Sequence, residues 1–373
     1  MRVAFYAPMK SPNSNVPSGD RRVARALIQA LEFKGHRVEI ASEFQAREAK
    51  GLPRVQEVLQ AEGHKIGDDL IASYRALSEA KRPEVWFTYH LYYKAMDWIG
   101  PRVAETLGIP YVAAEVSFAP KRAGGPWDMS HHALGDIIKK ADLIFGLNSL
   151  DRACVLPVMS GQSRLVPLKP FMEMPAQLDR GEARANIISH YQLKSAQPIL
   201  VTVAMMRDDA KLQSYNVLGE ALQNLSGQKW QLLVIGDGPA RGQVEASLGV
   251  DNVHYLGELP ESDIRPILGG SDLFVWPAVN EAYGMAMLEA QAMGLPVVAG
   301  RTGGVGDIIR DHETGLLCEV GNARAFADTV TSLLENPNLR ESMSQKALKT
   351  IRQDHSLKQA AETLDMALRS LQS

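Results

Sequence analysis

A chain of 373 residues is too long for one average domain and suits two, each large enough to bury a core of its own. Its apolar share of 45% and charged share of 22% belong to folded globular proteins and exclude a disordered or fibrous chain. The net charge of −3 leaves no basic excess for gripping nucleic acid, so no such partner is expected. That figure conceals an asymmetry: residues 1–173 carry 23 Lys and Arg against 19 Asp and Glu, a net +4, and residues 174–373 a net −7. The two cysteines, Cys154 and Cys318, are far apart and make no disulfide framework, which fits a cytoplasmic setting. The opening MRVAFYAPMK reads as a strand rather than a signal peptide, and no stretch approaches a transmembrane helix in length. Any membrane contact is expected to be peripheral, at the inner face, through the mildly basic first half.

In that first half, short apolar runs alternate with helical patterns. Strands are predicted at 3–7, 37–41, 85–89, 111–114 and 143–147, with helices at 21–34, 66–80, 94–107 and 131–140. Such alternation predicts parallel βαβ units with helices on both faces of a sheet. Three prolines in Pro167–Asp179 interrupt it and mark a linker. The alternation restarts with strands at 199–204, 230–235, 253–256 and 272–277 and a helix at 214–225. A further strand, 296–299, a Gly-rich turn at 302–306 and three helices (323–334, 339–352, 357–371) close the chain. The boundaries predicted are 1–173 for a first domain, 174–356 for a second, and 357–373 for a terminal helix. Two doubly wound halves imply ligands at the carboxyl ends of their strands and a cleft between them.

The most informative stretch is NEAYGMAMLEAQAMGLPVV, residues 280–298. Met285–Met293 is rich in helix formers and apolar around nearly its whole circumference, so it predicts a buried helix stopped by Gly294 and Pro296. Glu289 lies inside that helix and Glu281 just ahead of it. A carboxylate in such a place either bonds to neighbouring backbone or Arg, or accepts hydroxyl hydrogen bonds from a ligand. No Ser, Thr or Asp stands directly before Gly284, which leaves the amides of Gly284, Met285 and Ala286 open to an anion. Farther upstream, the strand at 199–204 delivers Arg207 and Lys211 into a loop, two cations suited to a diphosphate. Their alternative partners are Asp208 and Asp209. Neither these acids nor His131–His132 has metal-ligand spacing, so no metal cofactor is expected.

Glu281 and Glu289, set in N-E-x-Y-G-x-x-x-L-E-A with Trp276-Pro277 before and Gly294-Leu295-Pro296-Val297 after, resemble the Glu-x7-Glu signature of family-4 retaining glycosyltransferases. The resemblance implies an α/β GT-B fold, two Rossmann-like doubly wound parallel-sheet domains facing a central cleft. It also implies a nucleotide-sugar donor held mainly by the second domain, with a glycan, lipid or small molecule as acceptor. Glu281, Arg207 and Lys211 then take catalytic roles, and Glu289 accepts the ribose hydroxyls. Gly284, Met285, Ala286, Gly236, Gly238, Gly19 and Asp20 approach the donor. Lys211 departs from the family's spacing by one residue. Gly236–Pro239 matches the family's Gly-Asp-Gly-Pro turn, and Val16–Asp20 its first-strand glycine loop, although Ser18 or Asp20 also reads as an ordinary helix cap.

Many relatives place a histidine after the strand at 111–114; Glu115, Val116 and Ser117 stand there instead. His90, Glu115, Ser117, Lys121 and Arg122 are the acceptor-side candidates, with Tyr89, Tyr92, Tyr93 and Trp98 either shaping that site or packing. Besides a transferase, two readings remain open: a non-catalytic nucleotide-sugar-binding or partner protein of the same fold, and a sugar-nucleotide epimerase.

Overall fold

The computed structural model describes residues 1–373 except Pro17, Gln162, Ser226, Gln228, Val250 and Ser373. Pro17, within the predicted first-strand glycine loop, therefore lies outside the described residues. The chain divides into two units, Met1–Glu173 with Leu357–Ser373, and Met174–Ser356.

Unit 1 runs β1 (Arg2–Tyr6), α1 (Gly19–Phe33), β2 (Arg37–Ser42), α2 (Pro53–Ala76), β3 (Val85–Tyr92), α3 (Gly100–Leu107), β4 (Tyr111–Ser117), α4 (Asp128–Lys140), β5 (Leu143–Gly146), α5 (Ser149–Val155) and β6 (Arg164–Pro167). The strands form one parallel sheet in the order β2-β1-β3-β4-β5-β6. Phe5, Phe87 and Phe145, one from each of three strands, stack along a single face at 5.5 and 6.1 Å. These strands are buried on both faces, which is why they read as continuous apolar runs.

Two helices differ from expectation. The predicted helix 94–107 begins only at Gly100, because the buried Asp97 carboxylate accepts the amides of Ile99 and Gly100 at 2.9 and 2.7 Å and turns the chain there. Helix α2 begins at Pro53, well before the predicted 66. Gly63, which weakens the helical pattern, is a packing requirement: a Cβ there would lie 2.4 Å from Trp98 Cβ.

Unit 2 runs α6 (Arg180–Tyr191), β7 (Ile199–Val203), α7 (Ala210–Asn224), β8 (Gln231–Ile235), α8 (Arg241–Leu248), β9 (Val253–Gly257), α9 (Glu261–Gly270), β10 (Leu273–Trp276), α10 (Met285–Ala292), β11 (Val297–Gly300), α11 (Val305–Ile308), β12 (Gly315–Cys318), α12 (Ala323–Leu334) and α13 (Pro337–Asp354). Its sheet is also parallel, in the order β12-β11-β10-β7-β8-β9. Helices α5, α6 and α9 and strands β6 and β12 are additions to the predicted elements. Helix α9 contains Pro266 and ends on Gly269-Gly270, residues that mask a helix in sequence.

The final helix, α14 (Leu357–Arg369), belongs to unit 1 and packs on α1. Leu357, Ala360, Ala361, Leu364, Ala367 and Leu368 recur at helical spacing and are its buried face. Asp365 on the same helix meets His36 at 3.1 Å. Among the described residues, no helix is long and apolar enough to cross a membrane.

Candidate functional site

In unit 2 the strand order reverses between β7 and β10, which lie side by side with Leu200 opposite Leu273. A doubly wound sheet opens a crevice at such a point, beyond the carboxyl ends of the strands. The two loops flanking it are 204–209, after β7, and 277–284, after β10.

The 277–284 loop is sharply contorted, with φ of +55° at Ala278, +51° at Asn280 and +79° at Gly284. Non-glycine residues adopt this region at a cost of order 1–3 kcal/mol each, and such strain gathers at functional sites. Three contacts hold the loop. The Val279 amide donates to Ser214 Oγ at 2.9 Å, and the Gly304 amide to the Ala282 carbonyl at 2.7 Å. Gly303 passes so close that a Cβ would sit 1.9 Å from the Glu281 carbonyl oxygen. The Gly-rich turn at 302–306 thus supports the Glu281 loop and runs into α11 rather than remaining a turn.

Glu281 is 16% exposed and accepts from Lys211 Nζ and, at 3.1 Å, from Trp276 Nε1. The Lys211 ammonium also lies 5.4 Å from the centre of the Trp276 ring. The ring is braced edge-on by Tyr215 at 5.0 Å, whose hydroxyl donates to the Ala204 carbonyl at 2.8 Å. The structure therefore brings Glu281 and Lys211 together. It also adds Trp276, which the sequence shows as an aromatic at a strand end but not as a partner of Glu281.

Arg207 stands apart from that pair, half-exposed and paired with Asp209 at 3.2 Å. Asp209 caps α7 by accepting the Lys211 amide at 2.8 Å. Asp209 is thus committed to a helix cap and an ion pair. Among the described residues, no group of three His, Cys, Asp or Glu side chains is placed to hold a metal ion.

Helix α10 opens at Gly284 with no side-chain cap, and its first turn, Met285 and Ala286, is partly exposed. From Met287 onward it buries Met287, Leu288, Ala290, Gln291 and Ala292, with Glu289 half-buried among them. Gly236 and Gly238 lie tight against the loop after β7. A Cβ at Gly236 would lie 2.0 Å from the Ala204 carbonyl oxygen, and one at Gly238 2.3 Å from that of Met206. Their close approach is to the protein's own backbone, and they shape the loop that carries Arg207.

In unit 1, Ser18 caps α1 by accepting the Arg21 amide at 3.2 Å, and a Cβ on Gly19 would meet nothing within 4 Å. Crowding by the protein's own atoms therefore gives no reason for a glycine there. Asp20 instead pairs with His90 Nδ1 at 2.7 Å. His90 and Glu115 hold φ of +61° and +56° at matching positions of β3 and β4, between the pairs Tyr89–Ala114 and Leu91–Val116. One carboxylate oxygen of Glu115 is buried without a hydrogen-bond partner among the described residues.

Burial works against a charged His90, but the Glu115 carboxylate and the Asp20 hydrogen bond outweigh it and raise the His90 pKa. Asp20 is held below its ordinary value, His90 overcoming the opposing effect of burial. Ser117 donates to Asp151 at 2.8 Å, which adds Asp151 to this cluster unforeseen. Lys121 is exposed; Arg122 lies against Tyr93 and Trp127.

Residues 184–350 match the family model of Glycosyl transferases group 1. N-acetyl-alpha-D-glucosaminyl L-malate synthase of Bacillus anthracis is 29% identical over 165 residues, 43% of this chain and 42% of that protein. The chain spans less than two thirds of the length of each such relative. Among solved structures, a glycosyltransferase from Rickettsia africae superposes with a TM-score of 0.76 at 18% identity, covering 100% of this chain and 98% of that one. HepE of Anabaena, solved in complex with UDP, gives 0.75 at 13% identity, covering 99% and 100%. The fold is GT-B.

Proposed function

We propose that this chain, whose second unit carries a Glycosyl transferases group 1 domain, is a retaining glycosyltransferase that uses a nucleotide-diphosphate sugar without a metal ion. One observation carries the reading: Glu281 and Lys211 meet at the switch point of unit 2, beside the uncapped start of α10. A nucleoside diphosphate in that crevice finds the helix end, worth roughly half a positive charge, and Arg207. Lys211 is within reach of the same phosphates, and Glu281 orients it. As the bond from the anomeric carbon to phosphate breaks, negative charge grows on the departing oxygen and these fixed positive groups stabilise it. Glu281 supports the positive charge growing at the anomeric carbon. The acceptor oxygen bonds on the same face, and its proton passes to the departing phosphate. Glu289 accepts the ribose hydroxyls. The UDP held by HepE supports a nucleoside diphosphate as the leaving group.

The test is a donor screen followed by Glu281→Gln. Transfer should fall at least a hundredfold, about 2.7 kcal/mol, while donor affinity stays within about tenfold. Transfer should survive exhaustive EDTA; loss with EDTA and recovery with magnesium would end the metal-free reading. A second reading, donor binding without transfer, takes its support from Glu115 standing where many relatives place a histidine. Binding of a hydrolysable donor with no turnover across an acceptor panel would favour it.

A further inference from the structure

The loops after β3 and β4 of unit 1 hold a second cluster, with no part in the donor chemistry. The rings of Tyr93 and Trp127 meet edge-on at 5.3 Å. Lys94 Nζ lies 5.0 Å from the centre of the Trp127 ring, and Arg122 Cζ 4.9 Å from that of Tyr93. Two cations on one pair of rings repel each other, and among the described residues neither has a carboxylate partner. Three acids of unit 1 loops and helix starts are held elsewhere, each by a backbone amide, Asp97 also by the Thr88 and Tyr111 side chains and Asp128 also by His132. Glu48 accepts from Lys50 at 2.8 Å, Asp97 from Gly100 at 2.7 Å and Asp128 from Gly124 at 2.5 Å.

Two N–H donors in this cluster, Arg122 Nε and Trp127 Nε1, are buried without an acceptor among the described residues. An unmet buried donor costs about 1–3 kcal/mol, so two in one cluster need a reason. The surroundings are fixed: Gln56 bridges from the Pro126 carbonyl at 2.8 Å to Ser130 at 2.7 Å, and a Cβ on Gly51 would lie 2.5 Å from Pro126 Cβ. Fixed donors beside uncompensated positive charge are what an oxyanion needs, and a neutral hydroxyl leaves the charges unanswered.

We propose that Lys94, Arg122 and Trp127 bind an acidic group, a phosphate ester or a carboxylate, carried by the acceptor. Only the word acceptor rests on the transferase reading; the anion site stands on its own residues. The test uses the full chain, following the Arg Nε–H and Trp indole N–H resonances while glycerol 1-phosphate, succinate or glycerol is added at fixed salt. The Arg122 and Trp127 signals should move with one or both acids and not with glycerol, and the stronger acid names the group. Vesicles of phosphatidylglycerol against phosphatidylcholine then separate a lipid-borne phosphate from a soluble one.

Arg122→Gln should weaken anion binding about tenfold or more and leave UDP affinity unchanged. Trp127→Phe, which keeps the ring and loses the donor, should weaken it less. Signals unmoved by millimolar acid, or moved equally by glycerol, would overturn the proposal and leave a purely structural brace. A successful anion titration with no sugar transfer in any assay would sink the transferase reading alone, and the reverse result would sink only this site.

Discussion

At the residue scale, His90 and Asp20 give unit 1 a defined pH response. A raised His contributes stability that is complete below its unfolded value of about 6.5 and disappears as pH rises through the higher folded value. A lowered Asp contributes stability that is complete above about 3.9 and disappears as pH falls through its lower folded value. The pair therefore stabilises most between about pH 4 and 6.5. His90→Gln should lower Tm most near pH 5 and least near pH 9; an equal loss at every pH would show that packing, not charge, is what His90 contributes. Glu115 is a different case, with strained backbone and an unpartnered carboxylate oxygen. Glu115→Gly should raise unfolding stability by about 1 kcal/mol, since glycine adopts that φ freely, while impairing transfer. Lower stability in urea unfolding would mean that the carboxylate is held by more than His90.

At the element scale, the glycine turns are the supports of the site. Gly303→Ala should push back the Glu281 carbonyl and cost transfer at least tenfold, about 1.4 kcal/mol, with UDP affinity less affected. Gly236→Ala drives a methyl into the Ala204 carbonyl at an unfavourable φ and should cost more than about 2 kcal/mol in urea unfolding. How legible these parts were follows from their local signals. Helix α12 matches its predicted bounds because its apolar residues recur cleanly, and α10 was legible from helix formers followed by Gly and Pro. The start of α3 was not legible, because the carboxylate of Asp97 ends the preceding segment through a buried network no periodicity records. Glu281 and Lys211 were each visible in the chain. Their contact was not, since it depends on β7 lying beside β10, two strands 69 residues apart at their nearest ends. Trp127 and Lys94 escaped notice for the same reason: their meaning comes from facing loops.

At the scale of the whole molecule, the change of unit after Glu173 coincides with the proline-rich stretch, where neither helix nor central strand is favoured. The return of α14 to unit 1 makes that unit discontinuous in sequence. Deleting residues 357–373 removes three buried leucines, each worth about 1.5–3 kcal/mol, from a domain of ordinary stability near 5–15 kcal/mol. Calorimetry should show the transition of unit 1 lowered or lost while that of unit 2 persists; equal loss from both would contradict the division. The same discontinuity fixes an order of events on the ribosome. Unit 2 can close as soon as its own 183 residues have emerged, although it is the second to be started. Translation at 5–20 residues per second keeps α1 waiting roughly 15–70 s for the helix that covers it. During that interval the nascent chain displays the apolar surface of α1 to solvent, which makes the first-made half the natural client of a chaperone.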